Sequence, residues 1–125
     1  MSVTFDDVRK FALTLDNVEE GTSYGMPAFK VRGALFVRLK EDNKTLVVRM
    51  GIDERAEMIE TDPRIYFVTD HYLNYKWILA RMKRIELDVL RDLLRGAWRM
   101  ASKEKALARK RTNSGKGRPA SPRSR

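Results

Sequence analysis

Residues 21–50 read GTSYGMPAFKVRGALFVRLKEDNKTLVVRM, and this stretch decides the fold. It holds three apolar runs separated by two turn signals, Arg32-Gly33 and residues 41–44, where Asn and Asp tolerate tight turns. Apolar and basic residues alternate in the middle run, with Leu35, Val37 and Leu39 in one set and Phe36, Arg38 and Lys40 in the other. A period of two predicts an antiparallel meander whose dry face carries Leu35, Val37 and Leu39.

The flanking segments predict helices and a second hairpin. Thr4, followed three residues later by Asp7, resembles a capping box, which predicts a first helix that ends near Leu15. Residues 18–25 hold two glutamates and two glycines, and are expected to form a loop. A short helix should follow Gly51, and residues 65–68 and 76–82 then form the second hairpin around an aromatic loop, residues 70–75.

An apolar stripe that includes Leu90, Leu94 and Trp98 predicts a final helix that begins near Asp88. The element order is therefore helix, three strands, helix, two strands, helix. This order predicts a two-layer α+β domain in which helices cover mainly one face of an antiparallel sheet.

The 125 residues favour one domain, and their charge is unevenly distributed. Residues 102–125 hold nine bases and one acid, a net charge of +8, whereas residues 1–101 carry +1. We therefore divide the chain into a domain, residues 1–102, and a basic tail, residues 103–125, that is expected to be disordered. The sequence has no stretch near 18 uncharged apolar residues and no apolar leader, which predicts no membrane span and a cytoplasmic protein.

Four blocks of sequence resemble the MmcQ/YjbR family of small bacterial proteins. They are VEEGTSYGMPAFKVRGALFVRL (18–39), DERAEMIETDP (53–63), YFVTDHYLNYKWILARM (66–82) and LRDLLRGAWRMAS (90–102). The resemblance implies a compact α+β fold related to frataxin-like and secretion-chaperone-like architectures. It also implies DNA binding, which has been proposed for a double-wing surface in that family. Asp70 and Lys76 depart from the family pattern, in which proline is expected at both positions.

Catalytic chemistry finds little support in the sequence. There is no cysteine, His71 is the sole histidine, and residues 21–25 lack the spacing and the lysine of a phosphate loop. These absences exclude the usual zinc ligand sets and the Cys/His pair. We therefore expect a protein that is not an enzyme, with no catalytic residues, no metal and no cofactor.

Aromatic side chains offer the first candidate binding site. Tyr24, His71, Tyr72, Tyr75 and Trp77 would line one groove if the loops that carry them meet at the same end of the sheet. Aromatic rings beside bases such as Lys76 can stack nucleobases and contact phosphates. The alternative is that these rings pack beneath the loops, as buried Tyr and Trp commonly do.

The basic tail is the second candidate site. Its bases are Lys103, Lys105, Arg109, Lys110, Arg111, Lys116 and Arg118, followed by Arg123 and Arg125. Bases on a flexible segment neutralise phosphates without reading sequence, although a tail that serves solubility has the same composition. The leading hypothesis is weak, largely sequence-independent binding of DNA or another nucleic acid; the sequence leaves the oligomeric state open and slightly favours a monomer. The alternative is a protein- or small-ligand-binding module that uses the aromatic groove.

Overall fold

The apolar runs of residues 21–50 lie in a six-stranded antiparallel sheet. We obtained the fold from a computed structural model, which describes the backbone of residues 3–116 and the side chains of residues 3–107. The strands are β1 (Val18–Ser23), β2 (Met26–Val31), β3 (Ala34–Leu39), β4 (Thr45–Arg49), β5 (Tyr66–Phe67) and β6 (Trp77–Arg81). The helices are α1 (Phe5–Ala12), α2 (Ile52–Thr61) and α3 (Leu87–Lys116). The strands lie in the order β1-β2-β3-β4-β6-β5, so the predicted α+β class is confirmed.

The prediction of a loop over residues 18–25 was wrong, because residues 18–23 form the edge strand β1. Its backbone pairs with β2 from Val18 opposite Val31 to Ser23 opposite Met26. The element order is therefore helix, four strands, helix, two strands, helix. Glu, Gly and Ser have low strand propensity, but pairing with an apolar neighbouring strand outweighs propensity.

A β-bulge changes the predicted faces of β3. Phe29 pairs with Val37 and the next residue, Lys30, pairs with Leu35, so Phe36 is an extra residue without a partner in β2. Phe36 therefore joins Val37 in the core beneath the helices, whereas Leu35 lies on the opposite face. The assignment of Leu35 to the dry face was wrong because a bulge interrupts the period of two.

The main core lies between the sheet and the pair of helices α1 and α3. Its fully buried side chains include Val8, Phe29, Phe36, Leu46, Ile78, Leu90 and Leu94. The predicted capping box is present, since Thr4 N–H donates to Asp7 and Asp7 N–H donates back to Thr4 Oγ1. Helix α1 ends at Ala12, three residues before the predicted end. Trp98 is half-buried, and its indole N–H donates to Asp16 O at 3.0 Å.

Helix α3 runs beyond the predicted domain boundary at Ser102. It extends to Lys116, so residues 103–116 continue a helix that begins in the domain, and the expected disorder does not describe them. Residues 103–111 are alanine, leucine, glutamate, lysine and arginine, which all have high helix propensity, and this favours the continuation over that part of the helix. Residues 117–125 lie outside the described residues. Among the helices that the structure describes, none is long and apolar enough to cross a membrane.

Candidate functional site

The face of the sheet opposite α1 and α3 carries a smaller apolar cluster. Successive side chains in a strand point to opposite faces, so Leu46 and Val48 of β4 face the helices while Val47 faces away. Val47 and Leu79 are buried beneath Tyr72, which lies in the loop between β5 and β6. A loop, rather than a second layer of helices, therefore covers part of this face of the sheet. We call this face the open face.

Arg55 of α2 holds that loop in place. Its guanidinium donates to the carbonyl oxygens of Tyr72, Leu73, Tyr75 and Trp77 over distances of 2.9–3.2 Å. The side chain is nearly buried, with 5% of the residue exposed. One planar cation thus binds three carbonyls of the loop and that of Trp77 at the start of β6, which fixes the backbone around the aromatic residues.

A pocket of about 380 Å³ opens between this loop and the β1–β2 turn. We call it the aromatic pocket. It is lined by Ser23, Tyr24, Leu35, Arg38, Val47, His71, Tyr72, Tyr75 and Trp77. The two loops therefore meet at one end of the sheet, and the five aromatic side chains that were predicted to share a groove do line one pocket.

Tyr24 reaches the pocket because of the turn that carries it. Tyr24 and Gly25 both have positive φ, 53° and 76°, in the two-residue connection between Ser23 and Met26. Positive φ at both central residues is typical of the type I′ turn that matches the twist of a hairpin. The ring projects from this turn with 81% of the residue exposed, and the Cζ atom of Arg38 lies 5.1 Å from the ring centroid.

Arg38 places a buried positive charge in the pocket. The residue is 3% exposed, and its Nη2 donates to the Tyr72 hydroxyl at 2.7 Å. Its Nη1 donates to Leu39 O and contacts Glu41 Oε2 at 3.4 Å. A hydrogen bond from its own backbone N–H is the main cause of a lowered pKa at Glu41; burial opposes the shift and the charge of Arg38 reinforces it. The guanidinium thereby fixes the orientation of Tyr72 and offers an anion a charged donor.

Trp77 connects the aromatic pocket with helix α3. The Arg49 guanidinium lies 4.9 Å from its ring centroid and donates to Glu104 on α3 at 2.9 Å. Lys76 also contacts Glu104, with 3.3 Å between Nζ and Oε2. Glu104 thus ties the part of α3 beyond Ser102 to the strand that carries Trp77, and the basic segment begins beside the pocket.

The predicted site residues fall into three groups. Tyr24, His71, Tyr72 and Trp77 line the aromatic pocket together. Lys76 adjoins the pocket and binds Glu104, while Lys103 and Lys105 are exposed on α3. The side chains of the remaining predicted bases lie outside the described residues: Arg109, Lys110, Arg111, Lys116 and Arg118.

The sequence analysis missed Arg38, Arg49 and Arg55 as contributors to the site. An arginine inside an apolar run, such as Arg38 between Val37 and Leu39, was the available signal for a buried guanidinium. Arg55 gave no such signal, because its carbonyl partners lie 17–22 residues away. Within the described residues, no group of three or more His, Asp or Glu side chains is placed to hold a metal ion.

The fold and the pocket together define a small α+β protein with one antiparallel sheet, helices on one face and an aromatic pocket on the other. A family model for YjbR matches residues 13–100, and the chain belongs to the YjbR family. The fold is similar to the crystal structure of Deinococcus radiodurans protein DR2400, described as domain DUF419, with a TM-score of 0.70 and 21% sequence identity. That similarity covers 82% of this chain and 80% of the other. None of the curated proteins compared matches the chain.

Proposed function

We propose that this protein binds single-stranded nucleic acid, weakly and without strong sequence preference, and does not act as an enzyme. In this proposal one base stacks in the aromatic pocket while the basic segment of α3 contacts phosphates. The observation that carries the proposal is the set of rings open to solvent around the pocket, with Tyr24 81% and Tyr75 61% exposed. A contiguous exposed apolar patch or groove marks a binding surface, whereas apolar residues exposed singly are normal.

Stacking explains why such a site would tolerate any base. Every nucleobase has a π-face, and stacking on an aromatic side chain contributes about 1–3 kcal/mol per base. Tyr24 already has a guanidinium beside its ring, so a base on that ring would also lie close to the charge of Arg38. The pocket therefore offers both stacking and an anion contact without a fixed pattern of base-edge hydrogen bonds.

The basic segment supports the same ligand. Lys103 and Lys105 are exposed on α3, and most of the chain's net charge follows residue 101. Phosphate contacts from lysine and arginine release counterions and are independent of sequence. Because Glu104 ties α3 to Arg49 and Lys76, the first of these lysines lie near the pocket. We propose a cytoplasmic monomer that uses both surfaces.

A small anionic ligand is the second candidate. The pocket volume of about 380 Å³ falls within the range of small-molecule sites, and those sites pair apolar walls with a few polar groups. Arg38 could bind a carboxylate there, with the aromatic rings around the rest of the molecule. In that alternative the basic segment of α3 plays no part. The same holds if the ligand in the aromatic pocket is a segment of another protein.

A binding titration distinguishes the two candidates. Fluorescence anisotropy would be measured with mixed-sequence single strands and with random duplex, for the full chain, the double variant Tyr24→Ala/Tyr75→Ala and a chain ending at Leu107. The control Leu13→Ala removes an exposed apolar side chain at the C-cap of α1, on the other side of the sheet.

We expect the double variant to lose about tenfold in affinity for single strands, which corresponds to the stacking of one base, and to bind duplex unchanged. The shortened chain should lose affinity for both and show a flatter dependence on salt. Leu13→Ala should bind as the full chain does. The proposal is wrong if the shortened chain keeps full affinity and discriminates between sequences, or if the full chain binds no strand.

A further inference from the structure

A second pocket lies at the opposite end of strands β4 and β6. It has a volume of about 320 Å³ and we call it the basic pocket. It is lined by Asp42, Lys44, Thr45, Phe67, Arg81, Lys83 and Arg84. Four of these seven side chains are cationic and one is acidic, so the pocket concentrates positive charge in a domain that is otherwise almost neutral.

All four cations are exposed, and three of them lie on two connections that are joined by a backbone hydrogen bond. Lys44 lies in the β3–β4 turn, and its carbonyl accepts a hydrogen bond from Met82 N–H at 3.1 Å. Lys83 and Arg84 follow Met82 in a short 3-10 turn. Met82 before them and Ile85 after them are buried in the core, which anchors that turn. The spacing between Lys44, Lys83 and Arg84 is thus set by packed backbone.

The fourth cation, Arg81, is fixed by its neighbours. Its Cζ atom lies 4.1 Å from the centroid of the Phe67 ring, and its Nη1 donates to the carbonyls of Pro63 and Arg64. Such a guanidinium keeps a set direction and retains further N–H donors. It forms the wall of the pocket beside the ring.

The one acid in the pocket, Asp42, binds groups of its own turn and forms no ion pair with the four cations. The Asp42 carboxylate accepts hydrogen bonds from Thr45 Oγ1 at 2.8 Å and from the backbone N–H groups of Lys44 and Thr45. Burial acts to raise the pKa of Asp42, but these hydrogen bonds outweigh it and hold that pKa below its usual value. No ion pair within residues 3–107 engages Lys44, Lys83 or Arg84. Like charges in the free protein therefore repel one another, and a bound anion would remove that repulsion.

We propose that the basic pocket binds a phosphate group of the same single strand whose base occupies the aromatic pocket, an inference that rests on the proposed function. Trp77, Leu79 and Arg81 alternate along β6, so all three lie on the open face. Trp77 belongs to the aromatic pocket and Arg81 to the basic pocket. Four residues of β6 separate Trp77 from Arg81, about 13 Å measured beneath the loop that covers Leu79, so a strand that passes over this loop spans at least that distance. Nucleotides stacked as in a duplex advance about 3.4 Å each, so a stacked strand needs about four nucleotides or more to connect the two pockets.

The experiment measures binding of oligoadenylates, whose bases stack in single strands, of roughly two to ten nucleotides to the full chain and to the double variant Lys83→Gln/Arg84→Gln. The variant R91Q/R99Q is the matched control, because it also removes two exposed cations, from α3 on the other side of the sheet. Inorganic pyrophosphate provides the free-anion comparison, with its effect on thermal stability as the readout.

We expect the affinity of the full chain to rise steeply at about four nucleotides and the rise to be lost in K83Q/R84Q. For longer strands that variant should bind about tenfold more weakly at about 50 mM salt, with a salt slope smaller by about 0.7 for each lost phosphate contact. At low salt, K83Q/R84Q should also melt at a higher temperature than the full chain, because the two substitutions remove repulsion among the cations of the basic pocket. Pyrophosphate should stabilise the full chain and not the variant.

The outcomes separate this inference from the proposed function. If K83Q/R84Q binds strands of every length as R91Q/R99Q does, the shared strand is refuted while stacking in the aromatic pocket stands. If pyrophosphate stabilises the full chain but no strand shows the length step, the pocket takes a free phosphate and the shared strand is again refuted. If the full chain binds no strand, the proposed function fails, and the inference fails with it.

Discussion

Replacing Arg55 by methionine tests how the wall of the aromatic pocket is held. Methionine keeps the unbranched stem that crosses the interior and removes the guanidinium, which donates to four carbonyls. A hydrogen bond to a charged group contributes about 1.5–3 kcal/mol. The carbonyls sit in a largely exposed loop and can bind water after the change, and burying methionine avoids the desolvation of a cation. We therefore expect a loss of about 2–4 kcal/mol in the free energy of unfolding, well below the sum of the four bonds.

The loss would be measured by urea unfolding followed by tryptophan fluorescence, with Arg91→Met on the exposed side of α3 as the control. A change at Arg91 should stay within about 0.5 kcal/mol, as exposed substitutions usually do. Amide hydrogen exchange should show faster exchange at residues 72–77 in Arg55→Met than elsewhere in the sheet. Arg55→Lys should fall between the two, because a single ammonium cannot reach carbonyls on both sides as a planar fork does. If Arg55→Met unfolds within about 0.5 kcal/mol of the natural chain and the loop exchanges at its normal rate, the guanidinium is not what holds the loop.

Substitutions at three further positions test helix α3 and the buried residue Tyr66. Trp98→Ala should cost about 2–3 kcal/mol, below the value for a fully buried tryptophan, and Trp98→Phe should cost about 1 kcal/mol by losing the bond to Asp16 O; urea unfolding measures both. Gly96→Ala should raise the free energy of unfolding by about 0.5–1 kcal/mol, because an added Cβ meets no atom within 4 Å, and a lowered midpoint would contradict this. Burial raises the pKa of Tyr66 in the folded protein, because it disfavours the ionised side chain. The stability that the neutral Tyr66 side chain contributes is therefore fully present below a pH of about 10 and is lost as the pH rises from there through the folded-state pKa. Tyr66→Phe should remove that alkaline fall at little cost, since the buried hydroxyl has no hydrogen-bond partner among the described residues, and an unchanged pH profile would refute the assignment.

The parts of the fold that sequence predicts are those in which local pattern and tertiary environment agree. Strands β2, β3 and β4 combine apolar runs with strong turn signals, and the capping box of α1 requires two residues three apart. Strand β1 has no such pattern of its own, because its stability comes from pairing with β2. The bulge at Phe36 arises where β2 and β3 pair, so the alternation within β3 does not reveal it.

The residues of the candidate site likewise fall into those that the sequence predicts and those that it does not. The aromatic residues could be predicted, because two loops that carry aromatic residues bring their rings together when they meet at the same end of a sheet. The arginines that support them could not, since each acquires its role from atoms distant in sequence: Arg38 from Tyr72, Arg49 from Glu104 and Arg55 from the loop carbonyls. A charged residue is usually expected at the protein surface. These three arginines are instead buried or half-buried, because the fold brings hydrogen-bonding partners to them.

The position of β1 at the edge of the sheet has a consequence for self-association. An edge strand leaves a row of backbone N–H and C=O groups free to pair with a strand of another molecule, which is how sheets aggregate. Two adjacent glutamates stand on this edge, and since neighbouring residues of a strand point to opposite faces, each face carries a negative charge. Glu20 is bound by Arg9 on the helical face, whereas Glu19 stays exposed on the open face. Two identical β1 edges brought together would place carboxylates near carboxylates, so the glutamates disfavour a dimer that pairs β1 with β1.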